Sequence, residues 1–172
     1  MTMDVLVVDG YNVIGAWDEL NKLKLKDIGQ ARNRLIELLA EYKAFTGNRV
    51  IVVFDALYVK GVESRKSKNN VEVIYTKENE TADECIERLV KSLKNVKNQV
   101  YVATSDYMEQ RTIFSRGALR ISARELFIEI NSIEDSIQDQ LIERNKKSPK
   151  LQIPMEKKVL EKFEKWRRGH IK

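Results

Sequence analysis

Four aspartates tied to the ends of apolar runs constrain this chain more than any other feature. Asp9 closes VLVVD, Asp55 follows VIVVF, Asp83 lies at a helix start after VEVIY, and Asp106 follows VYVATS. In a parallel sheet all such strand ends share one edge, where open α/β folds hold their ligands. Carboxylates spread from position 9 to position 106 then converge on one pocket. Anions gathered in this way repel one another unless a hard cation lies between them. The pattern predicts a Mg2+ or Mn2+ site, and metal-assisted phosphate chemistry is its leading use.

The runs themselves predict the fold class. Segments 4–8, 49–54, 71–75 and 99–103, with a weaker one at 118–121, are rich in Val, Ile and Tyr without strict alternation. That composition suits strands buried on both faces. Helical patterns lie between them, so the chain reads as α/β with a mostly parallel sheet and helices on both sides. One helix is expected from about Gly29 to Phe45, stopped by Gly47. Capping boxes at Thr81–Glu84 and Ser122–Glu125 open two more, the second reaching roughly Arg144. A short helix is expected after Asp106, running to Arg116.

Length and composition bound the rest. With 172 residues, 42% hydrophobic and 33% charged, the chain suits one sizeable core. No apolar run approaches the roughly 20 residues of a membrane-spanning helix. The start lacks the basic region of a signal peptide, and one cysteine, Cys85, fits a reducing cytoplasm. Cys85 lies beside an apolar helix face and reads as structural. Trp17 and Trp166 read as packing anchors before base-stacking groups.

Charge is uneven. Residues 1–144 hold 21 Lys/Arg against 23 Asp/Glu, whereas 145–172 hold 10 against 3. A basic tail on a near-neutral domain is a footprint of nucleic-acid contact. Residues 145–154, NKKSPKLQIP, read as a linker, and 155–172 as a basic amphipathic helix with Met155, Val159, Phe163 and Trp166 on one side. Segment 58–70 lacks an apolar stripe and reads as a mobile basic loop carrying Lys60, Arg65, Lys66 and Lys68. These four, with Lys157, Lys158, Lys165, Arg167 and Arg168, are the expected RNA-binding residues.

Around the acids, Gly10 suggests a tight turn with close ligand approach, and Asn12 can reach back to orient a carboxylate or touch a phosphate. Asp83 sits where a helix dipole favours an anion, with Glu80 just before it. Asp55 can also serve only to fix its own loop. No phosphate-binding glycine loop is present, which argues against a nucleotide cofactor. The lone histidine, His170, lies near the end of the sequence, which argues against a Ser-His-Asp triad or a histidine metal site.

DGYNVI at 9–14, VVFDA at 52–56, NETADE at 79–84 and ATSD at 103–106 resemble the NYN-domain ribonucleases, relatives of the PIN nucleases, and among them the YacP-like bacterial branch. The resemblance implies a PIN-like three-layer sandwich with a mostly parallel twisted sheet, a divalent-metal site and endoribonuclease activity on single-stranded RNA. It further implies messenger RNA as substrate and the ribosome as partner. Carried over by position, Asp9, Asn12, Asp83 and Asp106 form the catalytic set. Asp9, Asp83 and Asp106 bind metal with Glu80 in support, and Asp55 occupies a position whose role varies among PIN relatives.

Three rivals meet this reading. A phosphatase beginning with Asp-x-Asp needs an acid where Tyr11 stands. A phospho-receiver domain needs an acidic pair after the first strand and a lysine after the last, and neither is in place. A non-catalytic ribosome- or RNA-binding adaptor has no physical reason to keep clustered acids.

Overall fold

The computed structural model describes residues 4–56, 64–93, 98–105 and 117–147. Along the chain run β1 (Val5–Asp9), α1 (Gly10–Ala16), α2 (Asp18–Lys26), α3 (Ile28–Thr46), β2 (Arg49–Phe54), β3 (Ser64–Lys68), β4 (Val71–Tyr75), α4 (Ala82–Leu93), β5 (Val100–Ala103), β6 (Leu119–Ile121) and α5 (Ala123–Lys147). The sheet order is β3-β4-β2-β1-β5-β6. All neighbours are parallel except the edge pair β3–β4, which is antiparallel.

Side-chain alternation along the strands divides the core in two. Leu6, Val8, Val50, Val52 and Phe54 meet Val13 and Ile14 of α1, Leu20 of α2, Leu35 and Leu39 of α3, and Leu126 and Ile130 of α5. Val5, Val7, Ile51 and Val53 face the other way, onto Cys85, Ile86 and Val90 of α4. Both faces are covered, which is why the central strands are apolar throughout. The result is the expected three-layer α/β sandwich. No helix among the described residues is long and apolar enough to cross a membrane.

Helix ends follow local chemistry. Asp27 Oδ1 accepts from the amides of Gly29 (2.8 Å) and Gln30 (3.4 Å), which starts α3. Gly47 at φ 75° ends it in the left-handed conformation. At α5, Ser122 and Glu125 each accept the other's amide at 3.1 Å, a complete capping box.

Three features depart from expectation. Helices α1 and α2 have only a thin apolar stripe, Leu20 being the sole buried residue of α2. Tertiary contact completes them: between the two, the Trp17 indole N–H donates to the Ala123 carbonyl at 2.7 Å, and its side chain is buried. Segment 58–70 is not wholly loop, since Ser64–Lys68 pairs with β4 as an edge strand. The missed signal is Asn69-Asn70, both at positive φ (53° and 68°), the conformation of a two-residue hairpin. Finally, α5 runs through Lys147, so the first three positions of the expected linker are helical.

The chain divides into two units, Met1–Ile133 and Glu134–Lys172. In the second, the described part is the continuation of α5, where Leu141 and Ile142 are exposed. The expected helix after Asp106, the remaining linker and the expected helix 155–172 lie outside the described residues.

Candidate functional site

The site is set by topology. From β1 the chain crosses to β2 on one side, while β5, its neighbour on the other, leads to β6. A crevice opens beyond the strand ends at such a reversal. Asp9 ends β1 there and pairs in register with Val53. Alternation places Asp9 with Val5 and Val7 on the α4 face, and only 8% of it is exposed. Although it occupies the N-cap position of α1, its carboxylate does not cap that helix.

Gly10 follows as the first helical residue. A Cβ at this position would lie 2.3 Å from Phe54 Cε1 and 3.1 Å from the Val53 carbonyl oxygen. The lack of a side chain here is therefore required by a core ring, a constraint that adds to the expected turn between β1 and α1.

Asp55 belongs to the same face as Asp9, two positions beyond Val53. Its Oδ2 accepts from the Ala82 amide at 3.4 Å, joining it to the first turn of α4. Asp83 is the next residue of that helix and is exposed. Thr81 accepts from the Glu84 amide at 3.2 Å, the expected cap. Glu80 is mostly covered, and its carboxylate accepts from the Arg88 guanidinium at 2.9 Å.

A buried threonine holds the Asp55 segment. Thr76 donates its amide to the Phe54 carbonyl (3.0 Å), and its hydroxyl accepts from the Ala56 amide (2.9 Å). Both residues flanking Asp55 are thus tied to Thr76, directly after β4. Sequence reasoning missed Thr76, whose only signal was its place directly after VEVIY.

Across the crevice, Asn12 Oδ1 accepts from the Ser105 amide at 2.7 Å. The bond ties the start of α1 to the residue preceding Asp106. Asp106 itself lies outside the described residues. Among the described residues, no three His, Cys, Asp or Glu side chains come together as a group able to hold a metal ion. Asp9, Asp55, Asp83 and Glu80 therefore share an edge without making such a group by themselves.

Of the expected RNA-binding residues, Lys68 lies toward the far end of the strands, paired with Val71, with its ammonium on Asn33 Oδ1 at 2.7 Å. Arg65 and Lys66 lie on β3, with only their backbones described. Lys60, Lys157, Lys158, Lys165, Arg167 and Arg168 lie outside the described residues. Sequence reasoning also missed Arg32, whose Nη1 donates to the Tyr11 hydroxyl at 3.1 Å. The Tyr11 ring packs on Phe54 (centroids 5.1 Å apart), and Phe54 stacks on Tyr75 (5.7 Å).

A parallel α/β sandwich with carboxylates along the carboxyl edge of its strands has the architecture of the PIN-like proteins. The chain belongs to the YacP-like NYN domain family, whose model matches residues 6–168. It is 53% identical over 169 residues to the uncharacterized protein YacP of Bacillus subtilis strain 168, covering 98% of this chain and 99% of that one. The crystal structure of Rae1 (YacP) from Bacillus subtilis superposes with a TM-score of 0.74 at 54% identity, covering 97% of this chain and 96% of that one. A tryptophan-to-leucine mutant of the same protein gives 0.75 at 51% identity, over 86% and 87%. Family membership supports a nuclease-type, RNA-related function.

Proposed function

We propose that the chain is a divalent-metal-dependent endoribonuclease that cuts single-stranded RNA, with messenger RNA on the translating ribosome as its leading substrate. The observation that carries this reading is the Asp55–Ala82 hydrogen bond on the face where Asp9 ends β1. It ties the helix start bearing Asp83 to the edge bearing Asp9. Asp106, next to the anchored Ser105, completes the proposed set.

The donors are all carboxylate oxygens, which suits a hard ion such as Mg2+ or Mn2+ and not a thiolate-seeking metal. Asp9, Asp83 and Asp106 would hold it, and the ion would supply positive charge at the scissile phosphate and a more acidic water. Asn12 acts by position, through Ser105. Glu80, already engaged by Arg88, braces the helix start. Asp55 does the same through the Ala82 amide. The buried thiol of Cys85 agrees with a reducing, cytoplasmic setting.

The test compares wild type with Asp9→Asn and Asp83→Asn on messenger RNA, free and in translating ribosomes, with Mg2+ and with chelator. Cleavage that needs the metal and is lost in both variants is expected. If no condition gives cleavage sensitive to both substitutions, the nuclease reading fails, and RNA binding without cleavage would leave the adaptor.

A further inference from the structure

The two faces of the sheet meet the candidate edge with opposite chemistry. On the α4 face stand Asp9, Asp55 and the helix start bearing Asp83. On the opposite face, Tyr11, Phe54 and Tyr75 form an aromatic row packed with the core under α3. Helix α3 leads directly into the amino end of β2, so its own first turns lie toward the carboxyl edge. Arg32, in its second turn, reaches Tyr11 there.

Arg32 is bound differently from its neighbours. Arg34, two residues along, is held by Glu19 at 3.1 Å and Glu37 at 3.4 Å, and these carboxylates raise its pKa. Arg49 and Arg88 also meet glutamates. Among the described residues no carboxylate pairs with Arg32; its partner is a neutral phenol. The nearby Asp27 caps α3, its Oδ1 accepting from the amides of Gly29 and Gln30. A guanidinium carries five donors, and the Tyr11 hydroxyl uses one of them. Its half-buried position and the fixed Tyr11 ring limit the entropy lost on binding.

We propose that Arg32, oriented by Tyr11, binds a phosphate that flanks the scissile one, so that the RNA strand crosses the sheet edge from an arginine–tyrosine lip to an acidic lip. The planar fork matches two phosphate oxygens, and its positive charge offsets repulsion between RNA and the acids opposite. Arg32 is here a substrate-binding residue, and the inference rests on the nuclease reading for its choice of ligand.

The test uses the full chain carrying Asp9→Asn, with binding of a fluorescein-labelled single-stranded oligouridylate followed by anisotropy across a KCl series. Adding Arg32→Gln should weaken binding about 3- to 10-fold and flatten the slope of log affinity against log salt by roughly 0.7 to 1, the signature of one lost phosphate contact. Arg32→Lys should keep the slope while losing part of the affinity, because the charge remains and the fork does not. Tyr11→Phe, which keeps the ring on Phe54, should behave in the same way. Unchanged affinity and slope in Arg32→Gln would overturn the proposal. So would a lowered melting temperature with Arg32→Lys as impaired as Arg32→Gln, since that marks a structural role. Failure of the nuclease reading registers separately, as absence of Asp9-dependent cleavage by chains that retain Arg32.

Discussion

Asn12 and Ser105, ninety-three positions apart, are joined by a 2.7 Å hydrogen bond from the Ser105 amide to the Asn12 carboxamide oxygen. One residue lies in the first turn of the helix after the first strand, and the other follows the fifth strand. The bond ties together the segments that leave two adjacent strands whose connections run in opposite directions.

Replacing Asn12 with alanine removes that acceptor. A cost of about 0.5–1.5 kcal/mol in stability is expected. A larger fall in cleavage, on the order of 100-fold, follows from displacement of the segment leading to Asp106. Thermal unfolding and single-turnover cleavage measured side by side check it; equal, small effects on both would contradict a positioning role.

Gly10→Ala drives a methyl group to 2.3 Å from the Phe54 ring. The ring must shift, and a loss of about 1–3 kcal/mol is expected. Phe54→Leu should recover part of that loss in the double variant, as urea unfolding of the four members of the cycle would reveal. Additive losses would place the strain elsewhere.

Thr76→Val keeps the shape and removes the hydroxyl that accepts the Ala56 amide. The orphaned amide should cost about 1–3 kcal/mol. Asp55 sits between the two anchored residues, so cleavage should fall further than stability explains. Hydrogen exchange at Ala56 reads the lost bond directly, and unchanged protection there would refute the account.

The raised phenol pKa of Tyr42 makes it one expected source of alkaline destabilisation. Burial is the main cause that raises its phenol pKa, with help from the charges of Glu129 and Asp4, while a hydrogen bond with Asn48 works the other way. The native state thus favours the neutral phenol. Its contribution is complete below the unfolded pKa, near 10, and is lost as pH rises through the higher folded value. Melting temperature should fall above about pH 10, and Tyr42→Phe should flatten that decline. An identical decline in both proteins would assign the titration to another group.

The elements that the sequence made readable are those whose signal is local. Strands β2 and β4 match their apolar runs residue for residue, because burial of most of their side chains leaves a local Val/Ile-rich signal. The caps of α4 and α5 were legible because their partners lie three residues apart. Helices α1 and α2 were not, since the contact that completes them joins Trp17 to Ala123. The edge strand β3 was hidden for a different reason: its SRKSK sequence is charged, as exposed edges are, and only its register with β4 defines it.

The site divides along the same line. By itself the sequence determined that acids close the strands, because a strand-end aspartate is a statement about neighbours in the chain. Only the tertiary structure decided what each does. It placed Asp9 and Asp55 on one face, gave Asp55 to the Ala82 amide and Glu80 to Arg88, and brought Arg32 to Tyr11 on the face opposite. These pairings depend on strand order and helix packing, which arise from contacts between distant segments and leave no periodicity to read.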